Sequence, residues 1–156
     1  MRLLVITVGK VRGELAAPVH EFETRAARYW KLDFVEVRSG GAGSNAAPGA
    51  VRDAEAERIL ARVPSGLEVV AMTREGESMT SEELARYLER HAVRSLPGVA
   101  FVIGGAHGLA EAVLERGRRR LSLSKMTLPH EMVRLVLAEQ LYRAGTILRG
   151  EPYHKG

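Results

Sequence analysis

The sequence predicts an α/β domain with three layers and a mainly parallel sheet. Short apolar segments alternate along the chain with segments of helical periodicity, and the first of them, RLLVITV, is continuously apolar. A strand buried on both faces, as in a parallel sheet, has this composition. No internal repeat or domain boundary interrupts the pattern, and 156 residues suffice for a single domain, 1–156, with its own core.

The first half of the chain contains three predicted strands and two predicted helices. The strands cover 2–8, 33–37 and 67–73, and the helices cover 14–31 and 51–63. Pro64-Ser65-Gly66 ends the second helix. The segment 39–50 is rich in glycine, alanine and serine, and it forms either a mobile surface loop or a loop that substrate orders.

The second half contains two more strands and three helices. Residues 74–79 are predicted to be a loop, and Thr80 and Glu83 have the spacing of a capping box for a helix that runs to about Val93. A strand at 99–103, a short helix at 109–117 and a strand at 118–124 follow. Pro129 suits the first turn of a last helix, which ends near Arg149 because Gly150 is a natural stop.

The last helix has more apolar surface than one sheet requires. Besides its main apolar arc it carries Met132, Leu135 and Tyr142 on other faces. Either a neighbouring helix or a second subunit could cover them. We expect a homodimer, because two-fold dimers are the commonest assembly.

The composition limits the function classes. The net charge is +4, which suggests a polyanionic partner, and the absence of cysteine excludes disulfides and thiolate chemistry. The N-terminal apolar run is too short for a signal peptide or a membrane span, so we expect a cytoplasmic protein. No histidine or carboxylate cluster has metal-ligand spacing, so we expect no metal. The basic run at 116–120 is either a solvated helix end or a contact to RNA phosphates.

Two loops in the last third are candidates for ligand binding. The turn from Gly104 to Gly108 follows a predicted strand, and ligands of open α/β sheets collect at that edge. It is either a ligand-binding turn or simply a tight one. The loop SLSKMTL at 122–128 could surround an adenine ring, or its hydroxyls could cap the last helix. A dinucleotide site fits poorly, because the glycine spacing is wrong and no acidic residue follows the next strand.

Together, four segments make the chain resemble a known family. They are VAFVIGGAHGL, LSLSKMTLPHEMVRLVLAEQLYRA, ILRGEPYHK and the N-terminal VGK with RYWKLDFVEV. The chain resembles the RlmH family, SPOUT-superfamily methyltransferases that act on large-subunit ribosomal RNA. The segment 39–50 departs from the more charged stretch usual in this family.

The resemblance implies a fold, a cofactor and a substrate. The C-terminal part of a SPOUT domain is threaded into a trefoil knot, which binds S-adenosylmethionine and lies under a two-fold dimer contact. The family methylates N3 of a pseudouridine in 23S ribosomal RNA on assembled ribosomes. The implied cofactor-binding residues are Met72, Gly104, Leu123, Ser124, Lys125, Met126, Thr127 and Leu128.

The reaction also suggests catalytic residues. An imide N3 is protonated at neutral pH, so a base or a nearby positive charge should help. Candidate catalytic residues are His130, Tyr153 and His154, and candidate RNA-binding cations are Arg134, Arg143, Arg149 and Lys155. We expect the tail at 151–156 to close over the methyl site, with His154 accepting the proton, whereas His130 could equally structure the loop. The competing classes are a non-catalytic RNA-binding factor and a nucleotide-dependent oxidoreductase.

Overall fold

A computed structural model describes residues 1–41, 43 and 45–155, without the side chains of His154 and Lys155. Its five strands are β1 (Arg2–Val8), β2 (Lys31–Val37), β3 (Glu68–Ser78), β4 (Gly98–Ile103) and β5 (Arg119–Ser122). They form one sheet in the order β2-β1-β4-β3-β5, and every pairing is parallel. The predicted parallel sheet is therefore confirmed.

Helices cover both faces of the sheet. They are α1 (Ala16–Ala26), α2 (Pro48–Ala61), α3 (Ser81–Val93), α4 (Glu111–Arg116) and α5 (His130–Leu148), with short 3-10 turns at Gly13–Leu15 and Pro152–Lys155. One core contains residues of α1, α3 and α5, such as Ala26, Leu88 and Leu141. The other contains residues of α2 and α4, such as Ile59 and Val113. The three layers are confirmed, whereas the trefoil knot remains a prediction.

Two predicted helix bounds were wrong. The first helix ends at Ala26 rather than near residue 31, and Trp30 then donates its indole N–H to the Leu141 carbonyl over 2.8 Å. This bond fixes the turn before β2 against α5. The second helix starts at Pro48, three residues earlier than predicted, because proline is well tolerated in a first helical turn.

Helix α3 begins as predicted. The Thr80 hydroxyl accepts from the Glu83 amide at 3.0 Å, and the Glu83 carboxylate accepts from the Thr80 amide at 2.7 Å, which confirms the capping box. The same helix buries His91, whose Nε2 lies 2.6 Å from Glu68 Oε2. The sequence alone indicated an ordinary surface or turn residue at His91, and this interpretation was wrong because the side chain is buried.

Strand β3 is longer than predicted, and this extension shapes the edge of the sheet. A bulge between Met72 and Glu77 interrupts its pairing with β5, which resumes at Glu77 opposite Leu121 and continues to Ser78 opposite Ser122. A Cβ on Gly76 would lie 2.6 Å from the Arg120 carbonyl carbon, so only glycine fits there. Residues 74–78, predicted to be a loop, thus belong to a bulged strand that projects beside the loop after β5.

The basic run divides between two elements. Arg116 ends α4, as the helix-end interpretation predicted, but Arg119 lies in β5. The Arg119 guanidinium lies 4.6 Å from the centroid of the Tyr87 ring and 3.3 Å from a Glu77 oxygen. Arg119 therefore packs within the fold. No helix among the described residues is long and apolar enough to cross a membrane.

Candidate functional site

A cleft of about 1040 Å³ opens at the carboxyl edge of the sheet. The segments after β3, β4 and β5 surround it together with the start of α5, because parallel strands bring their carboxyl ends to one edge. Its apolar lining residues are Met72, Ile103, Leu109, Leu114, Leu121, Leu123, Met126, Leu128 and Val133. Such a lining suits a flat, uncharged ring.

The glycine turn after β4 forms one wall of the cleft. Gly108 donates its amide to the Gly105 carbonyl over 3.0 Å, so the turn closes on itself. A Cβ on Gly104 would lie 2.9 Å from the Gly108 carbonyl carbon, and one on Gly105 would lie 3.0 Å from a Val8 methyl. Glycine is needed because the backbone itself forms this wall.

Hydroxyl groups hold the loop after β5 in place. The Ser122 hydroxyl lies 3.1 Å from the Arg74 carbonyl oxygen and 3.0 Å from that of Ser124. The Ser124 hydroxyl accepts from the Met126 amide at 3.0 Å, and the Thr127 hydroxyl accepts from Arg74 Nη1 at 2.8 Å. No side chain caps α5, whose N-cap is Pro129, so the alternative role of Ser124 or Thr127 as a helix cap was wrong.

His130 places a basic group on the cleft wall. It is the first residue of α5, and its Nε2 lies 2.8 Å from Glu131 Oε1. Its ring lies over Gly9, where a Cβ would approach His130 Cε1 to 3.3 Å at a φ of +86°. The turn after β1 therefore limits the positions that the imidazole can take.

Tyr153 in the C-terminal tail packs against α5 and does not line the cleft of its own chain. The Tyr153 hydroxyl donates to Glu139 Oε1 over 3.0 Å, and its ring packs against Tyr142. Burial and this hydrogen bond raise the pKa of Tyr153 above its ordinary value. Glu139 is nine residues beyond His130, about 14 Å along a helix that rises 1.5 Å per residue. Tyr153 therefore lies away from the cleft of its own chain, and closure of the tail over a methyl site stays a prediction. The side chains of His154 and Lys155 lie outside the described residues.

The three described cations proposed for RNA contact differ in their surroundings. Arg134 is 3% exposed and lies 2.7 Å from both Glu23 and Glu36, so the expectation that it contacts RNA was wrong. Its guanidinium is already paired and cannot reach solvent. Arg143 binds Glu139 at 2.6 Å, whereas the exposed Arg149 lies over the Tyr29 ring.

Sequence comparison assigns the chain to a family. The sequence model described as a predicted SPOUT methyltransferase matches residues 1–154. The ribosomal RNA large subunit methyltransferase H of Gemmatimonas aurantiaca is 52% identical over 156 residues, covering 99% of this chain and 100% of that protein. The chain belongs to this methyltransferase H family. The enzyme of the same name from Syntrophotalea carbinolica is 44% identical over 155 residues, covering 99% of each chain.

Solved structures agree on the fold of the family member described here. A probable methyltransferase from Bordetella pertussis Tohama I has a TM-score of 0.55 at 17% identity, covering 92% of this chain and 95% of that one. A probable methylase family protein from Haemophilus influenzae Rd KW20 has a TM-score of 0.54 at 12% identity, covering 99% and 70%. At these identities the similarity concerns the fold alone.

Most of the cofactor-binding residues that the family resemblance implied lie around one cleft. They are Met72, Gly104, Leu123, Ser124, Met126, Thr127 and Leu128. Lys125 is exposed and is absent from the lining. Sequence reasoning missed Arg74, Glu75, Arg52 and Glu111, which also line the cleft. The signal that could have found the first two was the polar stretch directly after Met72.

The cleft combines apolar and polar groups and suits a ligand that has both an apolar part and a charged or polar part. The Thr73 hydroxyl oxygen is buried at its wall without a partner among the described residues, and such a group favours a polar ligand atom. The lining also combines apolar side chains with arginine and glutamate. No group of three or more potential metal ligands occurs in the described part of the chain.

Proposed function

We propose that residues 1–156 form one SPOUT domain that uses S-adenosylmethionine to methylate ribosomal RNA of the large subunit. The finer proposal is methylation at N3 of pseudouridine-1915 in 23S RNA, on assembled ribosomes in the cytoplasm. The observation that carries the proposal is the cleft between the glycine turn and the loop after β5. It occurs in a chain whose relatives are named ribosomal RNA large subunit methyltransferases.

Bound S-adenosylmethionine would supply an electrophilic methyl group on a sulfonium. The apolar walls at Met72 and Leu123 and the backbone of Gly104 suit the adenosine part. Hydrogen bonds of serine and threonine hydroxyls hold the loop of 123–128 in place, and this loop would in turn hold the adenosine part. Lys125 is exposed and absent from this lining, so only its backbone is proposed to take part.

The protein has to orient the base and accept a proton. A methyl group can bond to N3 only as the N3 proton leaves, and a side chain positioned near N3 can take it. His130 is proposed to do so from the cleft wall, with Glu131 holding its Nε2. Tyr153 and His154 are the alternatives. Arg143, Arg149 and Lys155 are proposed to contact RNA phosphates.

A homodimer would complete the site. Met132, Leu135 and Val136 of α5 are only half-buried within one chain, which supports a partner over this helix. Because Tyr153 lies far from its own cleft, we propose that each tail serves the cleft of the partner subunit.

Two measurements test the function. Calorimetry should detect binding of S-adenosylmethionine but not of NADH. Labelled methyl should appear in 23S RNA of 70S ribosomes and be absent from isolated subunits. Cofactor binding without transfer to any ribosomal particle would instead favour a non-catalytic RNA-binding factor, and binding of NADH alone would favour an oxidoreductase.

A further inference from the structure

A pair of opposite charges lies on the bulge of β3 at the cleft. Arg74 Nε lies 3.1 Å from Glu75 Oε1, and both side chains line the cleft. Arg74 Nη1 also donates to the Thr127 hydroxyl over 2.8 Å. The guanidinium is thus held between the bulge and the loop proposed to bind adenosine.

Both members of this pair have hydrogen-bonding groups that are available to a ligand. A guanidinium has five N–H donors, and in the described residues Nη2 of Arg74 has no hydrogen-bond partner. The Glu75 side chain is 71% exposed, and within the described part of the chain it bonds only through Oε1, so its second oxygen is also available. An exposed ion pair of this kind contributes little to stability.

The chemistry of the pair matches one part of the proposed cofactor. An α-amino acid group has a carboxylate and an ammonium on one carbon, and an adjacent arginine and glutamate present the complementary charges. We propose that Arg74 binds the carboxylate and Glu75 the ammonium of the methionyl group of S-adenosylmethionine. The inference rests on the proposed function, which supplies the identity of the ligand.

The other charged residues of the cleft fit this role less well. Arg52 donates to the His107 carbonyl over 3.3 Å and contacts the glycine turn. Glu111 lies at the start of α4 with no ion-pair partner among the described residues. Neither belongs to an arginine–glutamate pair, and only Arg74 bonds to the loop of 123–128.

Calorimetry with two ligands tests the inference. S-adenosylhomocysteine contains the amino acid group, and 5′-methylthioadenosine lacks it. Arg74→Met should weaken binding of S-adenosylhomocysteine about tenfold, the effect of losing one charged hydrogen bond at an exposed site, and leave methylthioadenosine unchanged. Glu75→Gln should act in the same direction. Arg52→Met is the matched control and should leave the ratio of the two affinities as in the wild type.

The possible results distinguish a failure of the Arg74 assignment from a failure of the proposed function. Unchanged binding of methylthioadenosine also shows that the Arg74→Met cleft is folded. If Arg74→Met leaves S-adenosylhomocysteine binding intact, or weakens both ligands equally, the assignment of Arg74 is overturned although the function stands. If the wild-type protein binds neither nucleoside, the proposed function itself fails. Decarboxylated S-adenosylmethionine should be insensitive to Arg74→Met, and a tenfold loss with this ligand would exclude a carboxylate contact.

Discussion

At the residue scale, Arg134 is a charged side chain that serves the structure because it is buried between two carboxylates. It lies between Glu23 of α1 and Glu36 of β2 and is almost fully buried. Arg134→Met should lower the free energy of unfolding by about 3 kcal/mol, because two carboxylates would lose their partner. Urea denaturation measures the change. Arg25→Met, which breaks the exposed pair with Glu21, is the control and should cost less than about 1 kcal/mol. Equal losses in the two variants would contradict a structural role for Arg134.

The hydroxyl of Tyr87 makes the stability of the fold depend on pH in the alkaline range. Burial, followed by the negative charge of Glu68, raises the pKa of its hydroxyl well above 10.0, the ordinary value. The pKa of Tyr87 is higher in the folded protein than in the unfolded chain, so the neutral hydroxyl contributes to the stability of the fold. That contribution is complete below pH 10 and is lost as the pH rises further. The hydroxyl is also buried without a hydrogen bond among the described residues.

Tyr87→Phe should therefore be at least as stable as the wild type at neutral pH, since no hydrogen bond is broken. It should also lose less stability above pH 10. Urea midpoints measured at neutral and alkaline pH check both statements. A destabilised variant at neutral pH would show that the hydroxyl has a bonding partner after all.

At the element scale, the turn after α1 packs closely against α5 at one glycine. A Cβ on Gly145 would lie 2.5 Å from Cγ and 2.6 Å from Cβ of Tyr29, and the Cβ cannot move without its backbone. Gly145→Ala should destabilise the protein by about 1–3 kcal/mol, the usual cost of overpacking. In Gly117→Ala the nearest atoms would be 3.5 Å away, so this control should be nearly neutral. Thermal unfolding compares the two variants, and a stable Gly145→Ala would mean that the turn carrying Tyr29 can move away from α5.

The elements also show which features a sequence can predict. Strand β1 and the start of α3 follow from local patterns, a continuous apolar run and the pair Thr80 and Glu83, and both were predicted correctly. The end of β3 was missed, because EGES is polar and pairs only through a distant backbone at β5. The burial of Arg134 was missed for the same reason, since its carboxylate partners lie about a hundred residues earlier in the chain.

For the candidate site, too, the sequence predicted the features that lie within one segment. The glycine turn and the loop after β5 came from motifs within single segments, and the structure places both at one cleft. Arg74 was missed because its side chain reaches the cleft only through the bulge. The contact of Tyr153 with Glu139 was not predicted, because no sequence pattern indicates the direction in which a short tail folds back after α5.

At the scale of the whole molecule, the cleft and the tail belong to opposite ends of α5. His130 is the first residue of this helix, and Tyr153 follows its last turn. A rigid helix of this length cannot bring its own two ends together. If both ends take part in the same reaction, they must come from two chains related by a two-fold axis, in which each tail meets the other cleft.

Subunit complementation tests this arrangement. One variant lacks the last four residues, and the other carries Gly104→Val, which fills the turn where a Cβ would already lie 2.9 Å from Gly108. Each alone should be inactive in methyl transfer to ribosomes. Co-expression should restore roughly a quarter of wild-type activity, because half of the dimers are mixed and each mixed dimer has one complete site of two. Sedimentation of differently tagged chains confirms that mixed dimers form. Mixed dimers without activity would place the tail at the cleft of its own chain, since the chain with the intact cleft would still lack a tail. An active tailless variant would instead place the tail outside the reaction.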